Sequence, residues 1–449
     1  MKRTQRALAY VSVPFFLVAC TLTYYGQLHR KQGGDTYGTV YTAVALVEQQ
    51  TIWLDDYLPY IQERTGEYTY MLTETSGHVV TATPTASSAL ALPAIAVFSA
   101  LGVESGDFDA WLEAAMLTAA LAAAGSVAFL FAALRRLTTH AIAAAATATY
   151  AWGTLTWGIS GQALWQHAGA TLALAAFLYA LVSRRLVLAG LAAGAMVAFR
   201  LTTGVLAFFM LPLVGRTRDE WGRFLIGVLP YALALAAFNT VAFGSPLEQG
   251  YGSGHVRSQL SIDAGNVLRG VGGLLVSPGK GLLVYSPVLL FSVYGAIAGW
   301  RTPLYRWSAL AAAAYLVVSA NSSQWHGGEA FGARRVVDML PLLALLLVPA
   351  LERIRGSRWA WLFGATLAWS VLVQLLGASV WETAGWYDTH DITRESVWWN
   401  VGDNEIVAML RDDPLWWRLP AMAALLGFAL AAGAAATVAV RGLRRSVGA

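Results

Sequence analysis

Residues 110–136 read AWLEAAMLTAALAAAGSVAFLFAALRR, an apolar run closed by Arg135 and Arg136. The run 110–134 exceeds the roughly 20 residues that a helix needs to cross a bilayer. Paired arginines directly after such a run are typical of the cytoplasmic end of a transmembrane helix. This stretch therefore predicts a membrane-spanning helix with a known direction, and it sets the frame for the rest of the chain.

Composition places the whole chain in the membrane class. Of its 449 residues, 57% are hydrophobic and 12% are charged, about half the charged share of a soluble domain. A water-soluble enzyme is thereby excluded. Apolar runs recur from Arg6 to Arg445 and leave no room for a separate soluble domain, so we predict one membrane domain, residues 1–449. The net charge of +4 is spread over several loops, which argues against a nucleic-acid partner.

The single cysteine, Cys20, lies within the first apolar run, so neither a disulfide nor a cysteine-based metal site is available. The residues before it resemble a lipoprotein signal that ends in a lipidated cysteine. The apolar run continues through Tyr24 and Tyr25, however, which favours a first transmembrane helix.

Positive charges predict the topology. Basic residues flank the cytoplasmic ends of spans, so we expect all the basic clusters and both termini on the cytoplasmic side. These clusters are Lys2-Arg3-Arg6, Arg135-Arg136, Arg184-Arg185, Arg216-Arg218-Arg223, Arg301-Arg306, Arg353-Arg355-Arg358 and Arg441-Arg444-Arg445. The spans consistent with this rule are 7–24, 110–134, 141–157, 167–183, 223–243, 282–300, 307–320, 336–350, 359–380 and 419–440.

The apolar stretch between Arg185 and Arg216 is too long for one span and too short for two. We interpret it as two half-length helices, 186–199 and 201–214, that turn near Arg200. A bilayer tolerates such a break only where protein or water covers it, so an intramembrane Arg200 is a functional candidate. With these halves, the expected fold is an all-α polytopic bundle of about 12 transmembrane helices.

The polar chemistry is expected on the outer side. The first outer loop, 25–109, carries membrane-surface helices and an apolar element, 88–103, which follows Pro84 and contains Pro93. A full span there would place Arg135 and Arg136 outside, so we predict that this element lies in the outer leaflet. The other outer segments are 158–166, 244–281, 321–335 and the last outer loop, 381–418.

Asp35 is the first candidate in these segments. It begins a helical pattern that we interpret as an amphipathic helix on the membrane surface, where an aspartate could equally be a helix cap. The adjacent carboxylates Asp55 and Asp56 could ligate a metal ion, although a solvated turn is the favoured interpretation. In the second outer segment, Trp165 has the position of an interfacial anchor, and His167 must point into a polar cavity to be satisfied.

Two further outer segments carry cations. Lys280 lies in the run SPGKGL, 277–282, whose glycines would let the backbone approach an anion, although a lysine reaching lipid headgroups is as good an interpretation. The run QWHGGEAFGARR, 324–335, is richer in aromatic and ionisable side chains, which are Trp325, His326, Glu329, Arg334 and Arg335. Arginines on the outer side need a local reason, either an anionic ligand or pairing with Glu329 or Asp338.

Several tryptophans mark the last outer loop. They could stack on sugar rings, but an interfacial aromatic belt explains most of them. The residues are Trp381, Trp386, Trp398, Trp399, Trp416 and Trp417.

At these residues the chain resembles the GT-C superfamily of polyprenyl-phosphate-sugar glycosyltransferases, which includes protein O-mannosyltransferases and lipid A aminoarabinose transferases. The likeness covers nearly the whole length and rests on Asp35 before a surface helix, Pro84 with 88–103, and the polar run 160–167. Tyr251, the run 277–287 and Trp325 to Pro341 resemble a bacterial branch of putative glycosyltransferases. The second acidic residue that often follows the first-loop aspartate is Thr36 here, and no second-loop Asp-x-Asp is present.

The resemblance implies an inverting sugar transfer to an acceptor hydroxyl on a glycan, lipid or protein, with Asp35 as the base. It implies that cations bind the donor phosphate and that polar and aromatic side chains bind the sugar or the acceptor. The first group would be Lys280, Arg334, Arg200 and His326, and the second Trp325, Glu329, Trp165, His167, Tyr251, Asp55 and Asp56. A divalent cation stays open as a cofactor, with no metal ligand assigned.

The implied location is the bacterial cytoplasmic membrane, with the site facing the periplasm or the exterior. A transporter or flippase of a lipid-linked saccharide is the alternative, because broken helices and a buried arginine also mark translocation pathways.

Overall fold

The computed structural model describes residues 11–27, 33–66, 70–252, 261–381, 384–411 and 415–447. These residues are mostly helical, with one antiparallel hairpin of β1 (Leu72–Thr75) and β2 (His78–Thr81). The prediction of an all-α protein is confirmed.

The helices, in chain order, fall into three groups. The first comprises α1 (Val13–Tyr25), α2 (Tyr37–Glu48), α3 (Leu58–Thr65), α4 (Ala86–Ala100), α5 (Phe108–Leu134) and α6 (His140–Trp152). The second comprises α7 (Gln166–Val182), α8 (Leu186–Phe199), α9 (Gly204–Met210), α10 (Arg218–Phe243), α11 (Ala264–Val276), α12 (Leu282–Tyr285) and α13 (Leu290–Gly299). The third comprises α14 (Pro303–Ala320), α15 (Leu340–Ile354), α16 (Trp359–Ser379), α17 (Trp386–Thr389), α18 (Glu395–Trp398), α19 (Glu405–Arg411) and α20 (Leu415–Val447).

Short turns of other helix types join these elements. The 3₁₀ turns are Gly34–Thr36, Asp55–Tyr57, Leu201–Thr203, Leu211–Leu213, Pro287–Leu289 and Arg334–Met339, and Thr156–Ser160 forms a π turn.

The apolar helices are those of a membrane protein. Within the described ranges, four helical stretches are long and apolar enough to cross a bilayer: Phe108–Leu134, Arg218–Phe243, Trp359–Ser379 and Pro420–Arg441. Seven shorter apolar helices accompany them, so a bundle of about 12 spans remains a proposal.

The loops that carry the basic clusters meet at one end of the bundle. Arg184 donates to the carbonyls of Leu213 and Val214, which closes the hairpin 186–214 on itself. Further contacts at this end join Thr138 to Glu352, Arg353 to Ala298, Arg136 and Arg185 to the ring of Tyr179, and Ser12 to Thr437. This arrangement agrees with the prediction from the charge pattern that the basic clusters lie on one side.

Helix breaks follow the chemistry of single residues. The hairpin breaks at Arg200 as predicted, where the backbone is extended (φ −157°, ψ 113°). The predicted spans 141–157 and 282–300 are wrong as continuous helices. The first ends at Trp152, before Gly153 and the π turn, and Pro287, which lacks an amide hydrogen, separates α12 from α13.

The first outer segment differs from the expected surface helix. Residues 38–45 of α2 are all buried, because α4, α5 and the β hairpin cover the helix. Thr39 illustrates this cover: its hydroxyl bonds Thr83 at 2.8 Å and its carbonyl accepts from Ser88 at 2.8 Å. The helix that follows Asp35 is therefore fixed in protein and does not lie on the membrane surface.

Candidate functional site

Asp35 lies at the centre of a three-residue contact between distant parts of the chain. Its Oδ1 accepts from the indole nitrogen of Trp165 at 2.7 Å, and its Oδ2 faces Arg334 Nη1 at 2.9 Å. The Arg334 guanidinium also lies over the Trp165 ring, 5.2 Å from the ring centre. The carboxylate is thus held on two sides while about a quarter of its side chain stays exposed.

Local backbone chemistry positions these groups. Asp35 lies in the 3₁₀ turn before α2, and a Cβ at the preceding Gly33 would lie 2.9 Å from Trp165 Nε1, so only glycine allows this approach. Arg334 starts a 3₁₀ helix after a loop in which Gly327, Gly328 and Gly332 all have positive φ. Its Nη2 donates to the Gly327 carbonyl at 2.8 Å, which folds the glycine loop under the guanidinium.

A second cluster surrounds Asp338, at the far end of the same 3₁₀ helix. Asp338 is 1% exposed and bonds His167 Nδ1 at 2.8 Å and Arg200 Nη1 at 2.6 Å. The Tyr315 hydroxyl also donates to it. Arg200 and His167, which were predicted separately as a phosphate ligand and a sugar or acceptor ligand, therefore meet at Asp338, and this carboxylate explains how an arginine at a helix break is tolerated in the bundle.

Around Asp35 and Asp338, three arginines lie close to two carboxylates. Arg335 lies within electrostatic reach of Arg200 and Arg334, and its Nε is buried without a hydrogen-bond acceptor among the described residues. Asp35 and Asp338 pair with the other two guanidinium groups. Arg335 therefore has no carboxylate partner within the part of the chain that the structure describes, which suits an anionic ligand.

Lys280 has a different environment from the predicted one. It is fully buried, and its ammonium pairs with Glu405 at 2.6 Å, donates to the Ala330 carbonyl and the Tyr387 hydroxyl, and lies 4.8 Å from the centre of the Trp398 ring. Because Glu405 already neutralises it, its placement does not support the prediction that Lys280 binds phosphate.

His326 stacks on Trp398 with ring centres 4.9 Å apart, and its Nδ1 accepts from the Gly328 amide. Burial, together with the nearby charges of Lys280 and Arg335, lowers the pKa of His326 to about 4. The ring is therefore neutral near pH 7, and the prediction that it supplies a positive charge for phosphate does not fit.

We expect the stability of the protein to fall as the pH drops from about 6.5 to about 4. The unfolded chain takes up the proton near the ordinary pKa of 6.5, whereas folded His326 resists it until about 4. His326→Phe, which keeps the stacking on Trp398, should remove on the order of 1–3 kcal/mol of this pH dependence. Thermal unfolding in detergent from pH 4 to 7 measures it, with His78→Phe as the control; identical pH profiles for His326→Phe and the wild type would contradict the assignment.

The residues predicted to bind the sugar or the acceptor differ in their exposure to solvent. Trp325 is 1% exposed and packs on Gly273 of α11, so its ring faces are used within the core. Tyr251 is 42% exposed and lies within electrostatic reach of Asp35. Glu329 is exposed in the glycine loop, and its carboxylate interacts electrostatically with Tyr387.

The structure does not bring Asp55 and Asp56 to this site. They follow the carboxyl end of α2, about 18 Å of helix away from Asp35. Asp55 holds the β hairpin through His78 at 3.1 Å and the Val79 amide at 3.2 Å. Their neighbours make them an exposed structural turn.

A groove of about 170 Å³ lies between α8, α10 and the turn at Thr83. Its walls are mainly apolar, with polar side chains at Thr83, Thr85, Asn239 and Gln249. Leu201 and Gly250, the neighbours of Arg200 and Tyr251, both line it. A further cavity of about 220 Å³ lies at the basic end, near Arg355, and is separate from this site.

The sequence analysis named Asp338 as an alternative partner of Arg334 or Arg335 but missed it as the partner of Arg200, and it missed Glu405 as the partner of Lys280. Asp338 lies within an apolar run, which signals a buried partner, because the membrane rarely tolerates an unpaired carboxylate. Within the described residues, His, Cys, Asp and Glu side chains form no group of three suited to a metal ion. A divalent cation therefore gains no ligand set from these contacts.

No family model, curated protein or solved structure matches this chain.

Proposed function

We propose that the protein is a membrane glycosyltransferase that moves a sugar from a polyprenyl-phosphate donor to an acceptor hydroxyl. The observation that carries the proposal is the partly exposed Asp35 carboxylate, held between Trp165 and Arg334. Arg335 and an apolar groove lined by the chain neighbours of Arg200 and Tyr251 add to it. The bundle would have about 12 spans in a bacterial cytoplasmic membrane, with this site on the outer face.

Asp35 would act as the general base. The acceptor oxygen attacks the anomeric carbon and passes its proton to Asp35, while the bond from that carbon to the phosphate oxygen breaks. The polyprenyl phosphate leaves with the bonding electron pair, and the configuration at carbon inverts. Trp165 would orient the carboxylate throughout, because its indole can only donate.

Arginine charge would stabilise the leaving phosphate. Arg334 pairs with Asp35 in the absence of substrate, and a bound phosphate would draw this guanidinium towards itself. The carboxylate would thereby be released as a base only when the donor is present. Arg200 is already neutralised by Asp338, so the second charge would come from Arg335, which has no carboxylate partner among the described residues.

The groove supports a lipid-linked donor. Phe238, Phe243 and Leu247 offer apolar surface to an isoprenoid tail, while Leu201 and Gly250, which also line the groove, are the chain neighbours of Arg200 and Tyr251. A headgroup and its tail could thus occupy polar and apolar surfaces at the same time.

The alternative, a transporter or flippase of a lipid-linked saccharide, is suggested by Arg200 at the broken helix. Arg200 has protein partners in Asp338 and His167, so a translocated anion is not required to explain it. The two functions separate by experiment: purified protein in lipid nanodiscs would release polyprenyl phosphate from polyprenyl-phosphate sugars only if it transfers the sugar.

We expect Arg334→Lys to reduce kcat/KM for the donor by about 10²-fold or more. Lysine keeps the charge but loses the planar fork that reaches Asp35, Gly327 and the Trp165 ring together. Transfer kinetics with varied donor measure the effect, and Arg269→Lys, on an exposed ion pair, is the control. Equal kinetics for Arg334→Lys and the wild type would leave Arg334 a purely structural role.

A further inference from the structure

Behind the Asp35 site lies a group of buried, uncharged polar side chains whose hydrogen-bonding capacity is unused. Seven of the 17 buried polar atoms that lack a partner among the described residues belong to this one group, so it differs from the scattered remainder. Its members are Gln27, Trp157, Ser160, Gln162 and Gln374.

Contacts join Gln27 and Gln374 to the π turn, and Gln162 follows this turn by two residues. Gln27, directly after α1, donates to the Trp157 carbonyl at 3.4 Å. A Cβ at Gly158 would lie 3.2 Å from Gln374 Oε1 on α16. The π turn Thr156–Ser160 carries the middle of the group, and π turns are frequent at functional sites.

Burying these atoms without hydrogen-bond partners lowers the stability of the fold. A buried donor or acceptor without a partner costs about 1–3 kcal/mol, whereas an apolar side chain of the same shape costs nothing. Two complete carboxamides, those of Gln162 and Gln374, are affected. Either buried water or a bound molecule supplies the partners, and because the five side chains are all uncharged, a bound molecule is expected to be uncharged and rich in hydroxyls.

The space beside these amides is filled by an apolar ring. Phe331 lies between two glycines, since a Cβ at Gly158 would come within 2.7 Å of its ring and one at Gly377 within 2.4 Å. The ring cannot bond the neighbouring amide of Gln374. Phe331 belongs to the glycine loop, whose positive φ angles are readily exchanged for others.

The group shares its chain segments with the candidate site. Gln162 lies three residues before Trp165, and Phe331 lies three residues before Arg334. A ligand that displaced Phe331 would therefore contact the same loop that carries the Asp35 partner.

We propose that Gln27, Gln162 and Gln374 form a subsite for an uncharged sugar ring, occupied by Phe331 when no ligand is bound. This subsite rests on the proposed sugar transfer and names where the hydroxyls of the transferred sugar bind. Trp157 and Ser160 complete its polar wall.

The test is a pair of apolar replacements, Gln162→Leu and Gln374→Leu. Each should leave the melting temperature in detergent unchanged or raise it, because no protein hydrogen bond is lost, and each should lower kcat/KM about tenfold or more, mainly through KM. Ser292→Ala and Thr147→Val are matched controls, since both remove a buried, unpartnered hydroxyl elsewhere in the bundle. Phe331→Leu should lower KM. This variant tests the subsite in place of a glutamine variant that fails to fold.

The outcomes separate the subsite from the function. Normal kinetics in both glutamine variants, with transfer by the wild type and none by Asp35→Asn, would show that the amides hold ordered water only and overturn the subsite alone. A lower melting temperature in both glutamine variants but not in the controls would also overturn it, because the amides would then be structural. Absence of transfer by the wild type would overturn subsite and function together.

Discussion

Asp35→Asn is expected to reduce sugar transfer by about 10²–10⁴-fold while the protein folds normally. The carboxamide oxygen can still accept from Trp165, whereas the amide nitrogen can no longer accept from Arg334, so one of the two contacts of residue 35 is kept. What is lost is the ability to take a proton from the acceptor hydroxyl. The defect should therefore appear in kcat, with KM for the donor changed far less.

Stability is expected to change little in this variant. The pair between Asp35 and Arg334 is partly exposed, and such pairs contribute about 1 kcal/mol or less. A melting temperature within a few degrees of the wild type would separate loss of the base from loss of the fold.

Asp55→Asn is the matched control. Asp55 is an aspartate of the same first outer segment, but it lies beyond the far end of α2 and holds His78 and Val79. Its variant should retain transfer. Full turnover by Asp35→Asn with the correct acceptor would refute the assignment of the base, and a joint loss in both variants would indicate damage to the segment.

Sequence reasoning located the candidate segments better than the contacts between them. Charge patterning and apolar length predicted the helix break at Arg200 and the common end of the basic loops, because both depend on local composition. The Asp35 contacts join residues 130 and 299 positions apart, and no local pattern encodes such a pairing. The covering of α2 by α4 and the hairpin is non-local in the same way.

Lys280 shows why a motif alone misleads. Glycines on both sides of a lysine are compatible with an open anion-binding loop and with a tightly packed one. Gly279 packs against Trp398, and the Gly281 amide bonds the Ser277 carbonyl, so here the glycines allow close packing around a buried ammonium. The decisive residue, Glu405, lies in the last outer segment, where it resembles an ordinary exposed glutamate in sequence.

Lys280→Met is accordingly expected to destabilise the protein by about 3–5 kcal/mol. Glu405 is fully buried and would keep its charge without a cation, although the Tyr285 and Tyr387 hydroxyls still donate to it. The linked segments 277–281, 330–332 and 387–405 should loosen together. Thermal unfolding in detergent measures the loss.

A second substitution tests whether the buried charge is the cause. Glu405→Gln in the Lys280→Met background removes the uncompensated charge and keeps an acceptor for both tyrosines, so most of the lost stability should return. Arg269→Met, which breaks the exposed pair with Glu395, should cost less than about 1 kcal/mol. If the double variant were as unstable as Lys280→Met, packing of the lysine stem against Trp398 would be the stabilising contact, and the ion pair would not be. If Lys280→Met unfolded like the wild type but lost donor binding, Lys280 would belong to the phosphate site after all, because a purely structural lysine cannot be removed without loss of stability.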